Sequence, residues 1–318
     1  MVIPGSVQNA PSKLDDADSA HTARDLMVTM FGFVWRNQDS YLPSGALVEL
    51  MDGFGIGSAN ARATLSRMTK DGLLELSKSG RNTSYRISDQ TVARVESGTR
   101  RVLSFGASDT WDGHWTIVAF SIPEEHREIR TTFRTRLRFE GFAPFYDAMW
   151  IAPGRRADGI LGEIRALGVD NAAVFTMPDT GMVIAGRKPL DAWNLEPVGH
   201  RYAELKDRSD LLYELAMRGD LNPVSALRQR TELLVSFRRV VRLDPELPMD
   251  MMPDGWPRIE ARKAFVRAFD EMAAVASIRV RQVLHRYDPE LAERMGKITA
   301  TPFSELGQIS PNRWTASV

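Results

Sequence analysis

Polar and cationic side chains gather in one short stretch, Ser58 to Lys70, which reads Ser-Ala-Asn-Ala-Arg-Ala-Thr-Leu-Ser-Arg-Met-Thr-Lys. Ala61, Leu65 and Met68 recur at i, i+4 and i+7, the spacing of one apolar stripe on a helix. At about 100° per residue, Ala63, Ser66 and Lys70 point away from that stripe, with Arg62 and Arg67 on its flanks. No large apolar group blocks this face, so such a helix can approach a nucleic-acid groove closely, and Asn, Ser and Arg can hydrogen-bond base edges and phosphates. Base reading is expected of Asn60, Arg62, Ser66 and Arg67, a backbone contact of Lys70, and a helix-capping role of Ser58. The alternative is a solvated charged face with no partner.

A second cationic pattern lies on a helix expected over Glu124 to Glu140. With Ile129, Phe133 and Leu137 facing a core, Arg127, Arg130, Arg134 and Arg138 collect in one band from flank to back. Guanidinium pairs with phosphate bidentately, so the band suits a DNA backbone or the phosphates of an acyl-CoA effector. A solvated face partly neutralised by Glu124, Glu125 and Glu128 is the other reading.

Several chemistries lack their residues. There is no cysteine, which removes disulfides, thiol catalysis and Cys-containing zinc sites. His21, His114, His126, His200 and His285 form no i, i+4 pair, and no metal or cofactor is inferred. Gly53, Gly55 and Gly57 lack the spacing of a nucleotide fingerprint and read as a turn between helices. No Gly-x-Ser-x-Gly elbow is present.

The elements that must position these residues follow from periodicity. Thr22 and Asp25 resemble a capping box opening a first helix, in which Ala23, Leu26, Met27, Met30, Phe31 and Val34 form a wide apolar stripe. A second helix starts near Pro43-Ser44, and the Ser58 stretch is the third. Leu74 and Leu76, a polar turn from Lys78 to Thr83, then Tyr85 and Ile87 read as a β-hairpin. Three short helices and a basic hairpin are the layout of a winged helix-turn-helix, with Lys78, Arg81 and Arg86 as phosphate contacts. Beyond it, strands over Thr116 to Ile122, Phe145 to Ala152 and Ala172 to Met177 alternate with helices over Glu124 to Glu140 and Asp158 to Leu167, with Met182 to Ala185 as a candidate fourth strand. That order suits a ferredoxin-like α+β unit. Helices are expected over Tyr202 to Arg218, Pro223 to Arg242 and Ile259 to Tyr287, with a proline-rich loop, Asp244 to Pro257, before the last. The tail after Gly296 shows no firm period. The expected class is α+β multidomain: a leader at 1–20, a winged helix-turn-helix at 21–98, a ferredoxin-like domain at 99–190 and a helical domain at 191–318, for effector binding, dimerisation or both.

At 318 residues, Lys plus Arg and Asp plus Glu balance at 41 each. No global basic field marks the chain, so a nucleic-acid site must come from local clustering. No apolar run reaches the roughly 18 to 20 residues that span a bilayer, and the N-terminus lacks a secretion signal, so a cytoplasmic location is expected.

Ala23-Arg24-Asp25-Leu26-Met27-Val28-Thr29-Met30-Phe31-Gly32 with Asp71-Gly72-Leu73-Leu74 resembles the N-terminal domain of the PaaX family of bacterial transcriptional repressors. Trp111-Asp112-Gly113-His114-Trp115, and the run from Arg242-Leu243-Asp244-Pro245-Glu246-Leu247-Pro248 to Pro253-Asp254-Gly255-Trp256-Pro257, extend the resemblance over nearly the whole chain. Arg258 departs from it, standing where many members carry a small residue. The resemblance implies a homodimeric, non-enzymatic repressor of a catabolic operon on an inverted-repeat double-stranded DNA operator. It also implies release by a small effector, phenylacetyl-CoA in the name-giving members, for which Arg127, Arg130, Arg134, Arg138, Trp111 and Trp256 are the candidate contacts. It further gives the middle section a likeness to a CRISPR-associated nuclease fold. Metal-dependent cleavage needs grouped carboxylates; Thr116 to Ile122 carries none, and Asp112 and Asp147 have no evident partner. A winged helix that contacts only protein is the third alternative.

Overall fold

The computed structural model describes residues 22–34, 40–80, 82–89, 91–92, 111–181, 183, 186–299 and 302–303. The leader at 1–20, Arg81 and most of Met182 to Ala185 lie outside them. Two compact units are formed. One draws on the described residues of Met1–Leu103, Arg208–Arg238 and Ala264–Val318, the other on those of Ser104–Asp207 and Arg239–Lys263. The segment 191–318 therefore contributes to both.

In the first unit, α1 (Ala23–Val34), α2 (Ser44–Asp52) and α3 (Ser58–Lys70) precede a hairpin of β2 (Leu74–Ser79) and β3 (Asn82–Ile87). The Thr22 hydroxyl accepts from the Asp25 N–H at 3.1 Å, which satisfies one open donor at the start of α1. A two-residue strand, β1 (Leu42–Pro43), pairs with β3 and completes a sheet of order β1-β3-β2. Sequence periodicity gives no sign of β1, because two residues carry no period.

The apolar stripes of α1, α2 and α3 close on Leu74, Tyr85 and Ile87 of the hairpin. The same core takes in Ala226, Leu227 and Val235 of α7 (Pro223–Leu243), together with residues of α9 (Ala273–His285) and α10 (Pro289–Thr299). The three helices and hairpin thus share one hydrophobic core with later segments of the chain. Glu49 of α2 is clasped by Arg279 at 3.4 Å and by Arg286. The long helix expected over Ile259 to Tyr287 is instead α8 (Arg258–Glu271) and α9, parted at Met272. Met272 stays in the right-handed region at φ −74°, ψ −9°, so the break removes no apolar position and leaves the three-to-four spacing intact. α10 begins with Asp288 capping the Leu291 N–H at 3.0 Å and Pro289 in the first turn.

The second unit holds β4 (His114–Phe120), α4 (Arg127–Phe139), β5 (Ala143–Tyr146), β6 (Met149–Pro153), α5 (Ala157–Leu167) and β7 (Ala172–Pro178), an antiparallel sheet of order β5-β6-β4-β7. The single strand expected over Phe145 to Ala152 is corrected to a hairpin, β5 and β6, turning at Asp147 and Ala148. Pro144 has no N–H to give a second neighbour, which suits β5 to the sheet edge. The helix expected from Glu124 starts as a 3-10 turn, Glu124–His126, before α4. Along β4, Val118 and Phe120 face Phe133, Leu137 and Ile160 of the helices, while Trp115 and Ile117 join Phe145 and Ile151 on the opposite face.

α6 (Glu196–Met217) supplies Tyr202 to this unit. Its hydroxyl donates to Asp244 at 2.8 Å, and Arg258 forks the same carboxylate at 2.9 and 2.7 Å while donating to the Leu247 carbonyl at 2.8 Å. All of this is buried. The departure at Arg258 is thus the cation that neutralises Asp244.

Candidate functional site

α3 is seated by Ala61, Thr64, Leu65 and Met68, all buried. Full burial of a Leu65-sized side chain contributes about 1.5–3 kcal/mol. Asn60, Arg62, Ala63, Ser66, Arg67 and Lys70 are exposed, so the described residues leave the outer face uncovered. The cap is Gly57, at φ −59°, ψ 153°, and not Ser58. The Gly57 carbonyl already accepts the Ala61 N–H at 3.0 Å, which places Ser58 inside the first turn, exposed, with no side-chain capping bond.

The exposed groups divide in two. Along one flank Arg67 donates to the Thr64 hydroxyl at 3.3 Å and Thr64 to the Asn60 amide oxygen at 3.4 Å. That row lines a cleft of about 560 Å³ with Arg24 and Asp71, themselves paired at 3.1 Å. Arg62, Ser66 and Lys70 make no side-chain hydrogen bond or ion pair among the described residues and stand open to solvent.

On the hairpin, Lys78 is exposed opposite Thr83. Arg86 differs. It donates to Glu75 through Nη2 at 2.8 Å and Nε at 2.9 Å, and lies 5.5 Å from the Tyr41 ring centroid. The hydrogen bond it donates to Glu75 raises the guanidinium's pKa above its ordinary value. Its charge is therefore shared with a carboxylate, unlike that of Lys78. Glu75 and Tyr41 escape a reading of single residues, although the hairpin register sets Glu75 against Arg86.

The six side chains assigned to an effector do not converge. Arg127 is exposed, and Arg130 is held by Glu124 at 2.5 Å and the Ile122 carbonyl at 3.4 Å. Trp111 donates to the His114 carbonyl at 3.0 Å and packs edge-on against Trp115. Trp256 packs on Tyr202 and over Gly199, where a Cβ would lie 3.0 Å from its ring. Only Arg134 and Arg138 come together, in a cleft of about 600 Å³ beside the β5–β6 turn. Arg187, which periodicity does not single out, is the third cation there.

Among the described residues no group of three or more His, Cys, Asp or Glu is placed to hold a metal ion. No helix among them is long and apolar enough to cross a membrane.

Three segments match family models in chain order: "PaaX-like protein" over residues 22–91, "PaaX protein central Cas2-like domain" over 108–185, and "PaaX-like protein C-terminal domain" over 193–282. The chain is 24% identical over 259 residues to "Transcriptional repressor PaaX" of Escherichia coli K12, covering 79% of this chain and 80% of that one. Among solved structures it is similar to the uncharacterized protein Rv0674 from Mycobacterium tuberculosis, with a TM-score of 0.53 and 21% identity over 81% of this chain and 97% of the other. That likeness bears on the fold alone.

Proposed function

We propose, since the chain belongs to the PaaX family of bacterial transcriptional repressors, that it represses a catabolic operon by binding an inverted-repeat operator as a homodimer. The similarity to a curated transcriptional repressor supports the regulatory role over an enzymatic one. The observation that carries DNA binding is the outer face of α3, small, polar and basic, and uncovered by the described residues.

In this reading α1 to α3 and the β2–β3 hairpin form a winged helix-turn-helix, with α3 in the major groove. Asn60, Arg62, Ser66 and Arg67 read base edges. Lys70, Lys78 and Arg81 contact phosphates, while Arg86 stiffens the hairpin through Glu75. The antiparallel sheet with α4 and α5 on one face supports a ferredoxin-like central domain. A small effector, an aryl-CoA thioester such as phenylacetyl-CoA, releases the operator by binding one of two states more tightly. The nuclease alternative draws no support from β4, which carries no carboxylate.

Operator fragments selected from genomic DNA supply the ligand for a gel-shift titration. Arg67→Ala is expected to weaken binding by roughly 1–3 kcal/mol and to relax preference at one base pair. Unchanged affinity removes Arg67 from the reading face. Adding phenylacetyl-CoA should release the fragment, and cleavage of DNA with Mg²⁺ or Mn²⁺ would instead revive the nuclease.

A further inference from the structure

The cleft beside the β5–β6 turn is lined by three guanidiniums, those of Arg134, Arg138 and Arg187, and by one carboxylate, that of Asp147. Among the described residues none of the three arginines is in an ion pair; each is held by neutral groups. Arg134 donates to the Asp147 carbonyl at 3.2 Å, and Arg138 lies 5.1 Å from the Trp150 ring centroid. Arg187 donates to the carbonyl oxygens of Phe145 and, at 2.8 Å, of Asp191, and stacks over Phe145 and Tyr146 at 5.0 and 5.5 Å. Three like charges facing a single carboxylate that pairs with none of them raise the energy of the empty arrangement, and an anion entering between them lowers it.

A second observation points the same way. Arg134 keeps a buried Nε–H with no acceptor among the described residues. Such a donor is costly to leave unpaired, more so on a charged group, and it leaves the Arg134 charge less compensated than its donors allow. Carbonyls and ring faces fix the forks, so little side-chain freedom remains to be lost on binding. Planar forks suit phosphate, which accepts two parallel hydrogen bonds from one guanidinium. A volume of about 600 Å³ is that of a small-ligand pocket, which typically spans roughly 300–1,000 Å³.

We propose that this cleft binds the phosphate or pyrophosphate group of a small molecule, held by Arg134, Arg138 and Arg187. The site stands on its own geometry. Its identification with the place where the repressor's effector anchors its phosphates rests on the effector part of the function proposed above.

The test is titration calorimetry of the full chain with pyrophosphate as probe. Wild type is expected to bind, and Arg138→Gln, on an exposed side chain that lies over the Trp150 ring, to lose at least ten-fold in affinity. Arg127→Gln, on the same helix but outside the cleft, is expected to bind as wild type does. Arg134→Gln should behave as Arg138→Gln; if it fails to fold, Arg138→Gln decides. No heat with wild type at millimolar pyrophosphate overturns the proposal, as does an equal loss in Arg127→Gln. A chain that binds pyrophosphate through the cleft but keeps its operator in phenylacetyl-CoA retains the site and loses the effector reading. Release by phenylacetyl-CoA alike in wild type and Arg138→Gln retains the effector reading and removes the cleft from it. Random-sequence duplex that expels pyrophosphate, and binds less well to Arg138→Gln, makes the cleft a DNA contact and also refutes the proposal.

Discussion

Asp244 shows how far one residue's environment can be turned into measurable consequences. Its carboxylate is buried, with Arg258 at 2.7 Å, and the two side chains are 0% and 2% exposed. Removing one partner of a buried ion pair leaves the other charge desolvated, so Arg258→Leu should cost about 3–5 kcal/mol, read as a lowered urea midpoint. Tyr202→Phe removes one hydrogen bond to a charged group and should cost about 1.5–3 kcal/mol. It carries a further signature. Burial, reinforced by the Asp244 charge, pushes the Tyr202 phenol far above its ordinary value. A group whose pKa is raised by folding stabilises the native state fully below its unfolded pKa, near 10, and that contribution is lost as pH rises beyond it. Wild-type stability should therefore fall above pH ~10 by up to ~1.4 kcal/mol per unit from this group, and Tyr202→Phe should lose that component. If the two chains decline alike on the alkaline side, Tyr202 is not the titrating group. The motif residues Asp244 and Trp256 were visible in the sequence. The fork from Arg258 was not, because nothing in a linear pattern pairs positions 14 residues apart across a proline-rich loop.

Elements defined by a long period were legible, and those defined by a single residue's geometry were not. α1, α2, α3 and the hairpin lie where their apolar spacing puts them, and Ala61, Leu65 and Met68 do face the core. β1, the Asp147–Ala148 turn and the break at Met272 escaped, since each is set by one or two backbone angles inside an unbroken apolar pattern. The α3 face was readable for the same reason its core was: one angular count fixes both. That coupling separates two substitutions. Leu65→Ala opens a cavity in a fully buried position and should cost about 2–5 kcal/mol, seen as a lower melting temperature with operator binding lost in proportion to unfolding. Ser66→Ala sits on the exposed side and should leave melting unchanged within ~0.5 kcal/mol while altering operator affinity. A drop in melting temperature for Ser66→Ala would mean that its face is packed against something after all. Gly168, which lines neither the cleft beside the β5–β6 turn nor the one beside α3, gives a stability control. It ends α5 at φ 65°, a left-handed position that disfavours a side chain, and Gly168→Ala should cost about 1 kcal/mol with no effect on DNA or pyrophosphate binding.

For the whole molecule, the equal numbers of acidic and basic residues decide what kind of DNA affinity to expect. Without a net positive field, attraction to any duplex must come from the few local cations around α3 and the hairpin, so sequence-independent binding should be weak, with a salt dependence limited by the few phosphates they reach. Each phosphate neutralised by a protein cation contributes about −0.9 to the slope of log K against log salt concentration. Lys78 is exposed and has no ion pair among the described residues, whereas Arg86 is already matched by Glu75, so the two should behave differently although both are on the hairpin. In a homodimer Lys78→Ala removes two phosphate contacts and should shallow the slope by about 2, with similar losses for all operator variants, since a backbone contact carries no base information. Glu75→Gln strips Arg86 of its nearer compensating charge and leaves Asp89 at 3.9 Å, and operator affinity at low salt should rise as the hairpin presents a less compensated cation. Gel shifts from about 50 to 200 mM salt measure both effects. A Lys78→Ala slope equal to wild type would place the hairpin off the duplex and confine the contact to α3, and a slope shallower by only about 1 would mean that a single subunit engages the DNA.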